Sequence, residues 1–151
     1  MTSQANTHWL EDFSVGAVFS GGPRKIGERD LLFCALWGGD GQPHSNEEYS
    51  RKTPWGSRII HGDGTLAMGM GLIHGQGLFA ESLTGYKSMA IKYPRPLYIG
   101  DEISAQLTIQ SIEKSASKSA GTVVGNLKVR NLTKETVVVD ATIAYVVRRR
   151  H

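Results

Sequence analysis

Residues 61–73 read HGDGTLAMGMGLI, and this stretch decides the fold. Drawn as a helix, it is apolar on nearly all faces, which is typical of a helix that is buried on all sides. Its interior glycines, Gly64, Gly69 and Gly71, each cost about 0.5–1 kcal/mol relative to alanine in a helix. We therefore expect neighbouring segments to press closely against this helix.

The chain that follows this helix alternates between apolar and polar residues with a period of two, which is typical of strands. The alternation is clearest in the last segment, at Val137, Val139, Ala141, Ile143, Tyr145 and Val147. The pattern predicts four long antiparallel strands, at residues 86–93, 102–112, 121–132 and 137–148. Short polar stretches separate them and are suited to turns.

The chain before this helix has three parts. Residues 12–19 alternate loosely and are followed by Gly21-Gly22-Pro23, which predicts a short strand that ends in a turn. Residues 28–37 carry apolar side chains at helical spacing and acidic residues in the first turn, so we expect a helix. Residues 40–60 are polar and predict a long loop with one short helical turn around residues 47–52.

The order of these elements indicates the fold class. Helices that are followed by a run of long strands are typical of α+β proteins. One very apolar central helix wrapped by a curved antiparallel sheet accounts for both the glycines and the alternation, and that arrangement is the hotdog fold. A chain of 151 residues, 40% of them hydrophobic, suits a single domain over residues 1–151, since domains most often have about 100–150 residues.

Charge and cysteine content exclude several classes of protein. The net charge of +3 is small, and clustered cations are nowhere interleaved with aromatic residues, so we expect no nucleic-acid partner. The single cysteine, Cys34, allows no disulfide within the chain and suits a reducing compartment. Residues 1–10 do not resemble a signal peptide, and no apolar run is long enough to cross a bilayer. We therefore expect a cytoplasmic protein without a membrane partner.

An acid and two imidazoles border the polar loop, at Asp40, His44 and His61, directly before the apolar helix begins at Gly62. A carboxylate and an imidazole four residues apart can hold one water between them, with one group accepting a proton while the other donates one. Free backbone N–H groups at the helix start can stabilise an oxyanion. The structural alternative is that Asp40 caps a turn and His44 is a surface histidine.

Other kinds of site fit the sequence less well. The one plausible set of metal ligands is Asp40, His44, His61 and His74, but their spacing matches no recognised ligand motif, so we expect no metal. A serine nucleophile is not expected either, because the sequence contains no Gly-x-Ser-x-Gly motif.

Three separated motifs resemble those of one protein family. They are Trp37-Gly-Gly-Asp-Gly-Gln-Pro-His-Ser-Asn-Glu-Glu-Tyr49, Arg58-Ile-Ile-His-Gly62 and Tyr93-Pro-Arg-Pro-Leu-Tyr-Ile-Gly-Asp-Glu102. In the same order, they are similar to motifs of the MaoC-like dehydratases and (R)-specific enoyl-CoA hydratases: Gly-Asp-x-Asn-Pro-x-His-x-Asp-x-x-Tyr, Ile-x-His-Gly and Pro-x-x-x-Gly-Asp. The resemblance covers about residues 12–148 and implies a MaoC-like hotdog domain.

The resemblance implies a lyase of fatty acid metabolism that reversibly adds water, in a syn manner, to a trans-2-enoyl-CoA thioester and gives the (R)-3-hydroxyacyl-CoA. It implies that Asp40 and His44 are the catalytic dyad and that the Gly62 N–H binds the thioester oxygen. No cofactor is implied beyond the CoA of the substrate. Hotdog domains normally pair through their sheets, and an isolated domain would expose a strand edge and part of its apolar helix, so we expect a homodimer or larger homo-oligomer.

The chain departs from the family pattern near this site. Between Asp40 and His44 it has one residue fewer, and Gln42 stands where asparagine is usual. Asp63 follows the oxyanion glycine where the family usually has an apolar residue, and Met70 stands where some members have a serine near the substrate.

The candidate substrate-binding residues are His61, Asp63, Met70, Lys92 and Arg95. Lys92 and Arg95 flank a strand end and are candidates for the phosphates of CoA, whereas His61 is expected mainly to position the turn before the helix. Two other activities remain open. A hotdog thioesterase would cleave the thioester with a carboxylate-activated water, and a non-catalytic acyl-binding or assembly subunit would keep the groove without the chemistry.

Overall fold

The computed structural model describes residues 7–38, 41–113 and 118–150, which contain one sheet of five antiparallel strands. The strands are β1 (Val18–Lys25), β2 (Leu83–Lys92), β3 (Glu102–Glu113), β4 (Ala120–Asn131) and β5 (Thr136–Arg148). Their order across the sheet is β1-β3-β4-β5-β2, so β1 and β2 lie at its edges. The four strands predicted after the apolar helix are confirmed, although β2 begins earlier than expected.

Four α-helices accompany the sheet in the described part of the chain: α1 (Glu28–Gly38), α2 (Gln42–Ser45), α3 (Glu47–Arg51) and α4 (Gly62–His74). The helices predicted at residues 28–37 and 61–73 are confirmed as α1 and α4, and the predicted helical turn is α3. Helix α2 is an addition, because four residues that include a proline are too few to show a periodic pattern. None of the described helices combines the length and the apolar character needed to cross a membrane.

Helix α4 contacts β1, β3, β4 and β5, and its buried residues complete one apolar core with the inward side chains of the sheet. The glycines of α4 mark close approaches. A Cβ at Gly64 would overlap Cys34 Sγ of α1, and a Cβ at Gly69 would overlap Val129 Cγ2 of β4. The expectation that neighbours press on this helix is confirmed at these two positions, but a Cβ at Gly71 would meet nothing within 4 Å.

In the single chain, α4 is not buried on all sides, and part of this apolar helix is exposed, as expected for an isolated domain. Asp63, Ala67 and Gly71, which are spaced four residues apart and share one face, are exposed. The sheet covers the opposite face of the helix, and α1 leaves a groove of about 410 Å³ beside Ala67 and Gly71. The apolar composition of α4 therefore overstates the burial of this face.

The first strand also differs from the expectation. The predicted strand at residues 12–19 is wrong, since Leu10–Asp12 is a 3-10 helix and β1 begins at Val18. The predicted turn at Gly21-Gly22-Pro23 lies inside β1, where the register with β3 shifts between Gly21 and Arg24. Gly21 packs against the Leu72 carbonyl of α4, where a side chain would clash. This glycine therefore marks contact between strand and helix rather than a turn.

Candidate active site

His44 lies in α2, and its ring is oriented by a backbone group. Its Nδ1 is 2.8 Å from the carbonyl oxygen of Ile59. A carbonyl oxygen only accepts hydrogen bonds, so Nδ1 carries the proton, and the Nε2 of the neutral ring keeps its lone pair. In the neutral form of His44, Nε2 is therefore the ring nitrogen that can accept a proton.

The backbone around α2 is also fixed. The Pro43 carbonyl accepts hydrogen bonds from the Ile59 N–H at 3.1 Å and from the hydroxyl of Ser50 at 3.2 Å. Ser50 is fully buried in α3, so this contact ties α2 to α3 through a side chain shielded from solvent. Gly41 precedes α2, and a Cβ there would lie 3.3 Å from His44 Cδ2, so the glycine leaves space beside the imidazole.

His61 brings the start of α4 to His44. The two imidazole rings are stacked, with centroids 3.6 Å apart and planes inclined by 21°. His61 is the residue immediately before α4, and it is 9% exposed. Its carbonyl accepts the Thr65 N–H at 2.9 Å, which begins the hydrogen-bond pattern of the helix. The stacking therefore places His44 against the N-terminus of α4.

Gly62 is the first residue of α4, where backbone N–H groups lack partners within the helix. The ring of Tyr93 covers it, since a Cβ at Gly62 would lie 3.0 Å from Tyr93 Cε1. The Tyr93 hydroxyl donates a hydrogen bond to Asp63 Oδ1 at 3.0 Å. Burial and the Asp63 carboxylate together raise the pKa of Tyr93 to about 12, so the phenol stays protonated at neutral pH. Asp63 is exposed and serves as the acceptor for this phenol.

A groove of about 280 Å³ begins beside this helix terminus. Six of the residues that line it are Trp55, Gly62, Thr65, Tyr93, Arg95 and Val138. The Tyr98 hydroxyl donates to the Trp55 carbonyl at 3.1 Å and so fixes the Trp55 backbone at the rim. The groove has mostly apolar walls and one cation, Arg95, which suits an apolar chain that carries an anionic group.

The segment that carries Tyr93 and Arg95 is anchored by Asp101, a buried residue just before β3. Asp101 Oδ2 accepts the Tyr98 N–H at 3.0 Å and an Asn131 Nδ2 proton at 2.6 Å. The Leu97 carbonyl, in turn, accepts the Ile60 N–H at 2.8 Å. These bonds hold the third sequence motif beside the second, so both border the same groove.

The other candidates lie elsewhere. Asp40 falls outside the described residues. Lys92 is an exposed residue at the end of β2, paired in register with Asp140 and outside the groove lining. Met70 is half-buried and packs against the core. His74 lies at the far end of α4, about 20 Å from His61 at the usual rise per residue. The described residues contain no cluster of three or more histidine, cysteine or acidic side chains suited to a metal.

Sequence reasoning missed three contributors to this site. The Ile59 carbonyl orients His44, yet a backbone acceptor leaves no signal in the sequence. Tyr93 and Trp55 line the groove. Tyr93 opens the third motif, and its position directly before Pro94, where a strand ends, was the one signal that could have identified it.

Comparisons with known proteins agree with this architecture. The family model of the MaoC like domain matches residues 14–131. An (R)-specific enoyl-CoA hydratase from Rhodospirillum rubrum is 29% identical over 110 residues, which cover 70% of this chain and 72% of that protein.

Two solved structures show the same fold. A monoamine oxidase regulatory protein from Archaeoglobus fulgius has a TM-score of 0.87 at 23% identity, covering 96% of this chain and 97% of the other. A MaoC-like dehydratase from R. rubrum has a TM-score of 0.82 at 24% identity, covering 95% of this chain and 99% of the other. The predicted α+β hotdog fold is confirmed, and the family match covers most of the sequence. The chain therefore belongs to the MaoC-like dehydratase family.

Proposed function

We propose that the protein catalyses the reversible syn hydration of a trans-2-enoyl-CoA thioester to the (R)-3-hydroxyacyl-CoA. Membership of the MaoC-like dehydratases supports hydratase or dehydratase chemistry. The observation that carries the specific reaction is the orientation of His44, whose Nδ1 is bound to the Ile59 carbonyl while the ring lies against the start of α4. A base beside a helix N-terminus suits water addition next to a thioester carbonyl.

In the proposed reaction, Asp40 and His44 hold one water beside the double bond. The water oxygen bonds to C3 while one member of the dyad accepts a water proton and the other delivers a proton to C2. One water is thereby added across the double bond. The electrons of that bond pass through the thioester carbonyl, whose oxygen becomes negative in the transition state, and the Gly62 N–H stabilises this charge.

The groove beside Gly62 is the proposed site for the thioester arm of the substrate. Its apolar walls suit the pantetheine chain, and Arg95 is the groove cation that we assign to a CoA phosphate. Lys92 lies outside the groove lining and is left as a second, more distant cation. CoA enters as part of the substrate, and the proposed chemistry uses no other cofactor. The lone thiol Cys34 suits a cytoplasmic location.

A homo-oligomer is part of the same proposal. Within the described residues, β2 is bonded to β5 on one side and forms an edge of the sheet on the other. Tyr86 and Met89 of β2 are 43% and 37% exposed, and Phe33 and Leu36 of α1 are 64% and 85% exposed. Pairing of two β2 strands would satisfy the free backbone groups of the edge. Light scattering tests this, because a monomeric mass at micromolar concentration contradicts it.

The test of the reaction is loss of the conjugated-enoyl absorbance when purified protein is mixed with short and medium trans-2-enoyl-CoA thioesters. Asp40→Asn and His44→Ala are each expected to lower kcat by about 10²–10⁴-fold, the usual contribution of a general acid or base. His8→Gln is the matched control, since His8 packs with Phe13 and Phe19 away from the groove and its loss should leave kcat unchanged.

Other outcomes would identify a different activity. Release of free thiol from a saturated acyl-CoA would replace the proposal with a thioesterase. Binding of acyl-CoA without turnover at any chain length, by a folded protein, would replace it with a non-catalytic acyl-binding subunit.

A further inference from the structure

Arg58 joins three segments of the protein through one side chain. Its guanidinium forms a two-pronged pair with Glu28, with N–O distances of 2.8 and 2.9 Å, and its Nε lies 3.3 Å from Glu47 Oε2. Glu28 is the first residue of α1, and Glu47 is the first residue of α3. The segment that carries Arg58 is therefore tied to the starts of two helices.

The residue after Arg58 is the one that orients His44. The Ile59 N–H donates to the Pro43 carbonyl, and the Ile59 carbonyl accepts the proton of His44 Nδ1. On the other side, the Ile60 N–H donates to Leu97, which borders the groove. A displacement of residues 58–60 would thus move the acceptor of His44 and one wall of the groove together.

The ion pair between Arg58 and Glu28 keeps its charges and its geometry near neutral pH. The hydrogen bond between the two side chains raises the pKa of Arg58 and lowers the pKa of Glu28, so both groups stay charged near neutral pH. The Arg58 side chain is 22% exposed. Paired prongs fix the orientation of a guanidinium as well as its distance, and acidic residues at helix starts are favoured by the helix dipole.

We propose that Arg58 is a positioning residue that holds the Ile59 carbonyl in place and thereby sets the direction of His44 Nε2. Its effect on turnover rests on the proposed function, whereas its effect on the His44 ring does not. Lysine at this position would keep the charge but lose the two-pronged contact.

The first measurement is the ¹H–¹⁵N spectrum of the histidine rings, in which His44 is assigned by comparison with His44→Gln. In the native protein, the proton on His44 Nδ1 should give a protected signal because it is bound to the Ile59 carbonyl. Arg58→Lys and Glu28→Gln should both weaken or shift that signal. Arg24→Lys is the matched control: Arg24 pairs with Asp30, also in the first turn of α1, but it has no contact with Ile59 among the described hydrogen bonds.

The second measurement is steady-state turnover of the enoyl-CoA substrate. Arg58→Lys is expected to lower kcat by about 10–100-fold, because a small misplacement of a catalytic group lowers the rate steeply, and to raise KM by a smaller factor, because one wall of the groove moves with it. Arg24→Lys should leave both parameters unchanged.

An unchanged His44 signal in Arg58→Lys and Glu28→Gln would overturn the proposal, even if kcat fell. If Arg58→Lys did not fold, the His44 signal of Glu28→Gln would decide the question. Glu28 is 49% exposed, so its replacement by glutamine is expected to leave the fold intact. If the native protein hydrated no enoyl thioester, the proposed function would fail, and the ring spectrum would still decide whether Arg58 positions His44.

Discussion

The two ends of helix α4 both carry histidines, but their surroundings differ. At the N-terminal end, His44 is stacked on His61 and its Nδ1 is bound to a carbonyl oxygen. The backbone N–H groups of the first turn, the Asp63 carboxylate and the Tyr93 hydroxyl lie at the same end. This end is arranged to receive a polar group.

At the C-terminal end, His74 packs edge-on against Phe79 and Tyr145, with ring centroids 5.2 and 6.2 Å away. Within the described residues, its Nε2 is buried without a hydrogen-bond partner. Burial lowers the pKa of His74, so the ring is neutral at physiological pH. Here the imidazole fills space among aromatic side chains.

Histidine therefore takes opposite roles at the two ends of α4: His44, contributed by α2, at the N-terminal end and His74 at the C-terminal end. A carbonyl acceptor and a helix N-terminus make the first histidine a candidate base, whereas apolar walls make the second a part of the core. The packing around the helix backbone also differs between the two ends. Gly64 in the first turn packs against Cys34, whereas a Cβ at Gly71 in the last turn would meet nothing within 4 Å.

Gly64→Ala, at the end of α4 that packs against Cys34, is expected to have the largest effect on the free energy of unfolding. The new methyl group would overlap Cys34 Sγ, and overpacking of this kind typically costs about 1–3 kcal/mol in the free energy of unfolding. Urea denaturation measures the loss. Adding Cys34→Ala removes the opposing sulfur, so the double variant should recover part of the stability. A single variant as stable as the native protein would show that α1 shifts without cost.

At the other end of α4, a smaller change of opposite sign in the free energy of unfolding is expected from Gly71→Ala. Gly71→Ala adds a methyl group that meets nothing within 4 Å, and alanine favours a helix by about 0.5–1 kcal/mol over glycine. The same denaturation experiment should therefore show a gain. A loss would mean that another surface covers this face of α4 in solution.

The smallest effect is the dependence of stability on pH at His74. Its pKa lies below 6.5 in the folded protein and returns to about 6.5 on unfolding, so the unfolded chain binds more protons between these values. The free energy of unfolding should therefore fall as the pH is lowered through about 6.5. His74→Phe should flatten this fall, measured by denaturation between about pH 7.5 and pH 5.5. An unchanged slope would contradict the assignment of His74 as a buried neutral ring.

The sequence predicts the parts of the fold that depend on periodic pattern. The apolar run at residues 61–73 identifies α4, and the alternation in the last third identifies β3, β4 and β5, because burial of one face imposes these periods. The bulge in β1 and the short helix α2 lack such a period. They depend on contacts with distant residues, such as that of Gly21 with Leu72.

The candidate site was predictable to a similar degree. His44 stacks on His61, the residue before Gly62, because both histidines belong to the segment that ends at α4, and the catalytic roles of His44 and Gly62 stay predictions. The acceptor for His44 is a main-chain oxygen, and the acceptor for the Tyr93 hydroxyl is thirty positions away at Asp63. Hydrogen bonds of this kind join residues that no local pattern relates.

The lone cysteine has a practical consequence for labelling. Cys34 is 4% exposed beneath Gly64, and burial raises the pKa of its thiol, so little reactive thiolate meets the solvent at neutral pH. Thiol-directed dyes should therefore leave the native chain largely unmodified. A cysteine introduced at exposed Ala67 would carry a fluorophore at a single known point in the groove between α1 and α4. The protein is in this sense ready for optical study of that groove without prior removal of its own thiol.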